Sequence, residues 1–278
     1  MKLIADSGST KTDWCVVDGG EVVFRTAGHG INLFQQNDAE VENIVNNEFT
    51  SSFDGVERIA EIEFYGAGCR DGMVSHMEWL LRKLFVNAVR VEVCSDVLGA
   101  ARALFGDREG IACILGTGAN SCLYDGRRIM ANVPPLGYIL GDEGSGAVLG
   151  RQFINALFKG GLPAAMRDEF LSETGLTLAD IINKVYREPL ANRFLASTSV
   201  FIRNHLENKA LRGLVVDNFK SFFKRNVNLY GYRDLPVGAV GSIAFYYKSE
   251  LFEAAEAEGY KVGKVIKSPM EGLVREGR

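Results

Sequence analysis

The chain has 278 residues, which fits two domains better than one. Hydrophobic residues make up 47% of it, enough for two packed cores. Its formal net charge is −4, which argues against a nucleic-acid-binding protein and means that a bound polyphosphate would need a local cation to neutralise it.

The first half of the chain predicts three short strands followed by alternating helices and strands. Apolar runs bounded by turn residues predict strands at Leu3–Ala5, Trp14–Val17, Val22–Arg25, Glu61–Tyr65 and Val89–Cys94. Apolar residues at helical spacing predict helices at Asp38–Phe53, Gly72–Phe85 and Val97–Leu104. The polar segment Gly106–Gly110 is the expected domain boundary.

The second half begins again with three strands, predicted at residues 111–115, 120–124 and 127–131. A largely helical stretch at 147–230 follows, and then a last strand at Val237–Val240, a helix opened by Gly241-Ser242 and a terminal helix opened by Ser268-Pro269. The repetition predicts a duplicated two-domain α/β protein. We expect the domains at residues 1–107 and 108–278, with the terminal helix packing back on the first.

Each half contains a glycine-rich turn after its first strand, Asp6–Thr12 and Leu115–Asn120. An Asp-Gly turn follows both at the same spacing, eight residues from Thr10 to Asp18 and from Thr117 to Asp125. Backbone amides at such turns form anion cradles, and glycine permits close approach. One such turn indicates only a hairpin, but the matched pair favours a nucleotide polyphosphate held between two related halves.

The first turn carries three candidate ligand-binding residues. A carboxylate at Asp6, at the end of the first strand, would hold Mg²⁺, most simply through water; an Asx turn that shapes the hairpin is the alternative. Thr10 and Lys11 could contact phosphate, although Lys11 could equally be a solvated charge.

Asp96 is the candidate catalytic residue. It lies where a predicted strand ends and a helix begins, the usual place for active groups in open α/β sheets. A hydroxyl that attacks phosphorus must lose its proton, and a positioned carboxylate can accept it. Helix N-capping by Ser95-Asp96 is the alternative.

Other polar residues in turns allow two interpretations each. Asp142 and Glu143 precede a helix and could bind a sugar-like ligand or simply cap the helix. Gly241-Ser242 could receive an anion or a ribose at a helix start, or could be a plain helix start. Asn32 and Asn120 lie in turns and are ambiguous on their own.

Several classes of protein are excluded or disfavoured by missing motifs. The chain has neither a P-loop nor a Rossmann glycine motif. Its five cysteines form no C-x-x-C pair, which favours buried thiols in a reducing compartment. With no signal peptide and no apolar run of membrane-spanning length, we expect a soluble cytoplasmic protein without a membrane partner.

Taken in order, these motifs resemble the sugar kinase/Hsp70/actin superfamily. Within it the chain is similar to the N-acetylglucosamine kinase-like branch of the BadF/BadG/BcrA/BcrD ATPase family, over essentially its whole length. The most specific stretches are Asp6–Thr12, Ser95-Asp96, Ile114–Asn120, Leu140–Gly146 and Pro269–Leu273.

The resemblance implies a ribonuclease H-like (actin-like ATPase) fold, duplicated, with a central cleft that closes on ATP and a sugar. It implies Mg²⁺ at Asp6, Asp96 as the base for the sugar 6-hydroxyl, and often a homodimer. The ATP and phosphate contacts it implies are Ser9, Thr10, Lys11, Thr117, Gly118, Gly241 and Ser242. The implied sugar contacts are Asn32, Asp96, Ala119, Asn120, Gly137 and Asp142.

The chain departs from the family pattern in three places. Ala119 replaces a serine, so only its backbone amide is left to contact a ligand. Leu136 replaces a tryptophan, which removes an aromatic wall near the sugar. Phe219-Lys220 stands where Ala-Gly often contacts adenine.

Three functions are therefore expected in order of preference. The first is an ATP-dependent kinase for an amino sugar, most simply N-acetylglucosamine. The second is an ATPase activator of a dehydratase, which would need cysteines at a subunit interface for an iron–sulfur cluster. The third is a nucleotide- or sugar-binding regulator without turnover.

Overall fold

The computed structural model describes residues 1–8, 10–34, 36–70 and 72–276. The chain forms two compact units. The first comprises residues 1–108, 125–129 and the segment from Ser268 onward, and the second comprises residues 109–124 and 130–267. Within the described ranges, no helix is long and apolar enough to cross a membrane.

The described strands form two sheets of five strands each. They are β1 (Lys2–Ser7), β2 (Lys11–Asp18), β3 (Glu21–His29), β4 (Glu61–Gly66), β5 (Arg90–Ser95), β6 (Gly110–Leu115), β7 (Ala119–Tyr124), β8 (Ile129–Ala131), β9 (Val237–Val240) and β10 (Val262–Ile266). The helices are α1 (Asp38–Glu48), α2 (Gly72–Leu84), α3 (Asp96–Phe105), α4 (Gly137–Leu140), α5 (Gly146–Lys159), α6 (Ala164–Thr174), α7 (Leu178–Tyr186), α8 (Ala191–Ser197), α9 (Ser199–Asn204), α10 (Lys209–Arg225), α11 (Ser242–Tyr246), α12 (Lys248–Ala257) and α13 (Met270–Glu276).

The sheet of the first unit has the order β3-β2-β1-β4-β5. An antiparallel meander forms β1 to β3, and β4 and β5 run parallel to β1. The carboxyl ends of β1, β4 and β5 therefore lie at one edge of the sheet, which is where open α/β sheets place their ligands. Trp14, Phe49 and Phe64 are buried in its core, with the first two rings stacked at 5.2 Å between centroids.

The terminal helix α13 belongs to the first unit, where it packs on α3 and β1. A side chain at Gly272 would overlap the Ala103 carbonyl, so glycine permits this close contact. The Pro-Met-Glu-Gly-Leu motif at Pro269–Leu273 thus supports the helix that begins with Asp96.

The sheet of the second unit repeats this arrangement in the order β10-β9-β6-β7-β8. Strands β6 and β7 are antiparallel, whereas β9 and β10 are parallel to β6 and to each other. Its core is rich in helices, and the rings of Phe153, Phe170 and Phe201 pack together in it. The predicted duplication of an α/β domain is confirmed.

Two sequence predictions about elements were wrong. The helix predicted over Asp38–Phe53 ends at Glu48, because the backbone leaves the helical path at Phe49, whose ring is buried against Trp14. Val237–Val240 is not the last strand, since β10 follows it. That strand was missed because it is short and its middle residues are exposed.

Candidate functional site

The first unit gathers carboxylates at the end of β1. Asp6 pairs directly with Asp13 across the antiparallel β1–β2 ladder, which brings two like charges side by side. Lys11 Nζ contacts Asp13 Oδ1 at 2.6 Å and offsets part of this charge. The site predicted at Asp6 therefore contains a second carboxylate from the same hairpin.

Asp6 is held in an unusual electrostatic environment. Its burial, together with the charges of Asp13 and Asp96, raises its pKa from 3.8 to about 8, although Lys11 acts in the opposite direction. Removing a carboxylate from water and placing it near two others makes its ionised form unfavourable. A cation at this point would relieve the repulsion, and all-oxygen donors suit Mg²⁺. The residues present thus fit the divalent ion that the sequence predicted.

Asp96 is the first residue of α3, directly after β5. The N-cap of that helix is Ser95, whose Oγ accepts the Leu98 amide hydrogen at 3.3 Å. Asp96 Oδ1 accepts the Val97 amide hydrogen at 2.8 Å. Burial raises the pKa of Asp96 to about 6, while the charge of Arg70 lowers it. A carboxyl group with this pKa can exchange a proton near neutral pH, as a general base must.

Asn32 is fixed beside the end of β1 by backbone contacts. The Ile31 amide donates to Ser7 Oγ at 2.8 Å, and the Ser7 and Thr12 hydroxyl groups are 2.7 Å apart. Asn32 Oδ1 accepts the Phe34 amide hydrogen at 3.0 Å in an Asx turn. A side chain at Gly68 would overlap Asn32 Oδ1, so the loop after β4 passes close to it.

The glycine-rich turn between β1 and β2 is closed by a hydrogen bond from the Gly8 amide to the Lys11 carbonyl at 2.9 Å. Thr10 lies on this turn and Lys11 begins β2, and their contact with phosphate stays a prediction. Ser9, also predicted to contact phosphate, lies outside the described residues.

The second glycine-rich turn connects β6 and β7 and is attached to α5. The Gly116 amide donates to the Gly118 carbonyl at 3.0 Å. The first amides of α5 then bind the turn: Gly146 donates to the Gly116 carbonyl at 2.8 Å, and Ala147 donates to the Thr117 carbonyl at 3.1 Å. The start of the helix thereby fixes the position of Thr117 and Gly118.

Asp142 lies close to the second glycine-rich turn, because a side chain at Gly118 would closely approach its Oδ2. The Asp142 amide donates to the Pro135 carbonyl at 2.9 Å. Asp142 has φ 54°, a left-handed conformation that Asp tolerates better than most residues. Burial raises its pKa to about 6.

Gly241 and Ser242 lie against the second glycine-rich turn. Gly241 has φ 121°, and a side chain there would overlap the Leu115 carbonyl. The Gly241 amide donates to the Ile266 carbonyl at 3.1 Å and so joins the segment after β9 to the end of β10. In the second unit, Gly118, Asp142 and Gly241 thus lie at the second glycine-rich turn, which also carries Thr117 and leads into Ala119 and Asn120 of β7; Ser242 follows Gly241, and Gly137 begins α4. The first unit brings together Asp6, Lys11, Asn32 and Asp96.

We expect Gly241→Ala to destabilise the second unit by about 2–3 kcal/mol, because the new methyl group meets backbone at a φ that only glycine adopts without strain. Urea unfolding measures the loss. Gly213→Ala is the matched control, since no atom lies near a side chain placed on that helical glycine. Equal midpoints for the two variants would contradict the role assigned to Gly241.

Sequence reasoning missed three residues near the predicted ones. Asp13 was predictable, because a hairpin that pairs Ser7 with Thr12 must also pair Asp6 with Asp13. Arg70 gave no local signal. Asn218, fully buried on α10, accepts the Gly144 amide hydrogen at 3.1 Å and donates to the Ser145 carbonyl at 3.3 Å. It therefore holds the loop that carries Asp142.

No family model matches the chain, and no curated protein does either. Among solved structures, a proposed N-acetylglucosamine kinase from Porphyromonas gingivalis is 50% identical to it, with a TM-score of 0.97. The match covers 99% of this chain and 98% of that one. The chain belongs to the sugar kinase/Hsp70/actin superfamily, in its N-acetylglucosamine kinase-like branch.

More distant structures share the fold alone. A proposed N-acetylglucosamine kinase from Chromobacterium violaceum is 17% identical, with a TM-score of 0.74 over 100% of this chain and 98% of that one. The ethanolamine utilization protein EutJ from Carboxydothermus hydrogenoformans is 15% identical, with a TM-score of 0.57 over 99% and 88% of the two chains. The predicted actin-like ATPase fold is thus confirmed.

Proposed function

We propose that the protein is an ATP-dependent kinase that phosphorylates an amino sugar, most simply N-acetylglucosamine at its 6-hydroxyl. The observation that carries this proposal is Asp96: a half-buried carboxyl group whose pKa is raised to about 6, at the carboxyl end of β5 and within electrostatic range of Asp6. The proposed N-acetylglucosamine kinase activity of the Porphyromonas gingivalis protein supports the choice of sugar.

In the proposed reaction, Asp96 accepts the proton of the sugar 6-hydroxyl as its oxygen bonds to the γ-phosphorus of ATP. The bond between that phosphorus and the bridging oxygen breaks, and ADP leaves. Asn32, Asn120 and Asp142 bind the sugar hydroxyl groups. Ser9, Thr10, Lys11, Thr117 and Gly118 bind phosphate, and Gly241 and Ser242 lie near the adenosine. Asp6 holds Mg²⁺, whose contribution is to neutralise phosphate charge.

Sugar-dependent ADP release by the wild-type protein tests the function. We would supply ATP and Mg²⁺ and compare N-acetylglucosamine, glucosamine, N-acetylmannosamine and glucose, with the product identified by ³¹P NMR. We expect N-acetylglucosamine 6-phosphate and one ADP for each sugar consumed. ATP binding without sugar-dependent ADP release would overturn the kinase and favour the regulator.

The pH dependence of the reaction follows from Asp96. As a base it must be ionised, so we expect kcat/KM for the sugar to rise tenfold per pH unit below about pH 6 and to level off above it. Because the pKa of Asp142 is also about 6, Asp142→Asn is needed to separate the two groups. The rise of kcat/KM below pH 6 should persist in Asp142→Asn. If this rise disappears in that variant, the group that titrates is Asp142 and not Asp96.

The dehydratase-activator alternative receives no support from the cysteines. Cys15, Cys69, Cys113 and Cys122 are buried, and only Cys94 is partly accessible. Burial raises the pKa of Cys69 and of Cys94 to about 12, which disfavours the thiolate form that binds iron. Cys69 follows a turn in the sequence, but it is buried as well, with its thiol packed beneath Gly66.

The family resemblance also supports a homodimer in the cytoplasm. Light scattering of the purified protein tests the first expectation, and fractionation of the source cells tests the second. A monomer at all concentrations used in the kinase assay would remove the dimer from the proposal and leave the reaction unaffected.

A further inference from the structure

An amide network surrounds Asn120, one of the proposed sugar contacts. Asn132 follows β8, and its Nδ2 donates to the Ser121 carbonyl at 2.6 Å and to Asn120 Oδ1 at 2.8 Å. Asn120 Oδ1 also accepts the Ser121 amide hydrogen at 2.9 Å. Both asparagine side chains are therefore joined to the backbone of the same residue on β7.

The two backbone groups fix which way each side-chain amide is turned. The Ser121 carbonyl can only accept a hydrogen bond, so it must face the NH₂ group of Asn132. The Ser121 N–H can only donate, so it must face the oxygen of Asn120. Turning either amide around would place two acceptors or two donors against each other. The remaining NH₂ group of Asn120 thus lies on the side of its amide away from Ser121.

The segment that carries Asn132 is itself anchored. The Tyr230 hydroxyl group, which is buried, lies 2.8 Å from Ser121 Oγ and accepts the Val133 amide hydrogen at 3.1 Å. The Tyr230 side chain therefore holds both Ser121, which Asn132 binds, and Val133, which follows Asn132. A network fastened at several points loses little entropy when a ligand binds to it.

We propose that Asn132 is a positioning residue that fixes the polarity of the Asn120 amide, so that Asn120 meets the sugar as a hydrogen-bond donor. The sugar group that faces it must then be an acceptor, either a hydroxyl oxygen or the carbonyl oxygen of an N-acyl group. Asp142, once ionised, offers the opposite polarity, because a carboxylate only accepts. This inference rests on the proposed function, which makes Asn120 a sugar contact.

Asn132→Asp tests the role by reversing the polarity with almost no change of shape. The carboxylate repels the Ser121 carbonyl and Asn120 Oδ1, and the Asn120 amide turns to donate to it. We expect KM for the sugar to rise tenfold or more, while kcat and KM for ATP change by less than threefold. Asn132→Ala leaves Asn120 held by Ser121 alone, and a smaller rise in KM is expected.

Asn47→Asp is the matched control, because Asn47 Nδ2 donates to Asn43 Oδ1 at 2.7 Å in another asparagine pair, exposed on α1. Its sugar KM should remain at the wild-type value. A rise in sugar KM equal to that of Asn132→Asp, or no rise in either variant, would overturn the inference.

Side-chain amide exchange in the ¹⁵N-labelled wild-type protein tests the same polarity without any assay of activity. We expect the Asn132 NH₂ hydrogens to exchange slowly with water and those of Asn120 to exchange fast. Slow exchange at Asn120 would overturn the inference even if Asn132→Asp failed to fold. A wild-type protein that phosphorylates no sugar, yet shows this exchange pattern, would contradict the proposed function and leave the amide arrangement intact.

Discussion

Asp96→Asn is expected to lower kcat for sugar phosphorylation by about 10²–10⁴-fold, the range that a positioned general base contributes. The amide is nearly the same shape as the carboxyl group, and its oxygen can still accept the Val97 amide hydrogen. It cannot accept the proton of the 6-hydroxyl. The loss should therefore appear in kcat, with KM for the sugar and for ATP within about threefold of wild type.

The matched control is Asp54→Asn, the same change at an exposed position of the same unit. Coupled measurement of ADP release should give wild-type kcat for this variant. The limb of the pH profile near pH 6 should also be absent from the residual activity of Asp96→Asn. A kcat within tenfold of wild type would show that another group removes the proton.

The placement of the first unit's candidate residues at strand ends was predictable from local sequence, whereas their chemical roles stay predictions. Asp6 and Asp96 both follow short apolar runs, and strands β1 and β5 end at the same sheet edge. The structure shows that Ser95 of the Ser95-Asp96 pair caps α3, as the capping alternative expected, while the role of Asp96 as a base stays a prediction. The cross-strand pairing of Asp6 with Asp13 follows from the register of the β1–β2 hairpin, so it could be predicted from the local sequence alone.

The second unit was harder to predict because its contacts join distant segments. The asparagine Asn218 binds a loop more than seventy residues earlier in the chain, and Tyr230 binds Ser121 across 109 positions. A polar residue in an apolar helical stretch signals a buried partner but does not identify it. The polarity of Asn120 depends on such contacts, so the sequence left that residue ambiguous.

Asp6→Asn is expected to make the protein more stable and less active. In the folded state burial and the neighbouring carboxylates raise the pKa of Asp6 from 3.8 to about 8. The folded protein therefore binds a proton more tightly than the unfolded chain, and its free energy of unfolding falls as the pH rises from about 4 to about 8. Asparagine carries no charge, so the variant avoids this loss.

The size of the gain depends on pH. At about 1.36 kcal/mol per pH unit, the rise in the pKa of Asp6 from 3.8 to about 8 corresponds to a stabilisation of roughly 5–6 kcal/mol on its removal. Because the Asp6 side chain is only half-buried and keeps some contact with solvent, we expect a gain in the free energy of unfolding of about 2–4 kcal/mol at pH 8. The gain should vanish near pH 4, where the carboxyl group is protonated in both states. Urea unfolding in EDTA measures both values, with Asp54→Asn as the control.

Magnesium should reverse the order of stability of the wild-type protein and Asp6→Asn. A cation bound at Asp6 favours the ionised carboxylate, so Mg²⁺ should raise the unfolding midpoint of the wild type at pH 8 and leave that of Asp6→Asn unchanged. Sugar-dependent ADP release should fall in the same variant. A stable Asp6→Asn protein that still responds to Mg²⁺ and turns over at the wild-type rate would place the ion elsewhere. If Asp6→Asn both stabilises the fold and abolishes the response to Mg²⁺, the carboxylate of Asp6 serves to hold a cation at a cost in stability, as the proposed Mg²⁺ site requires.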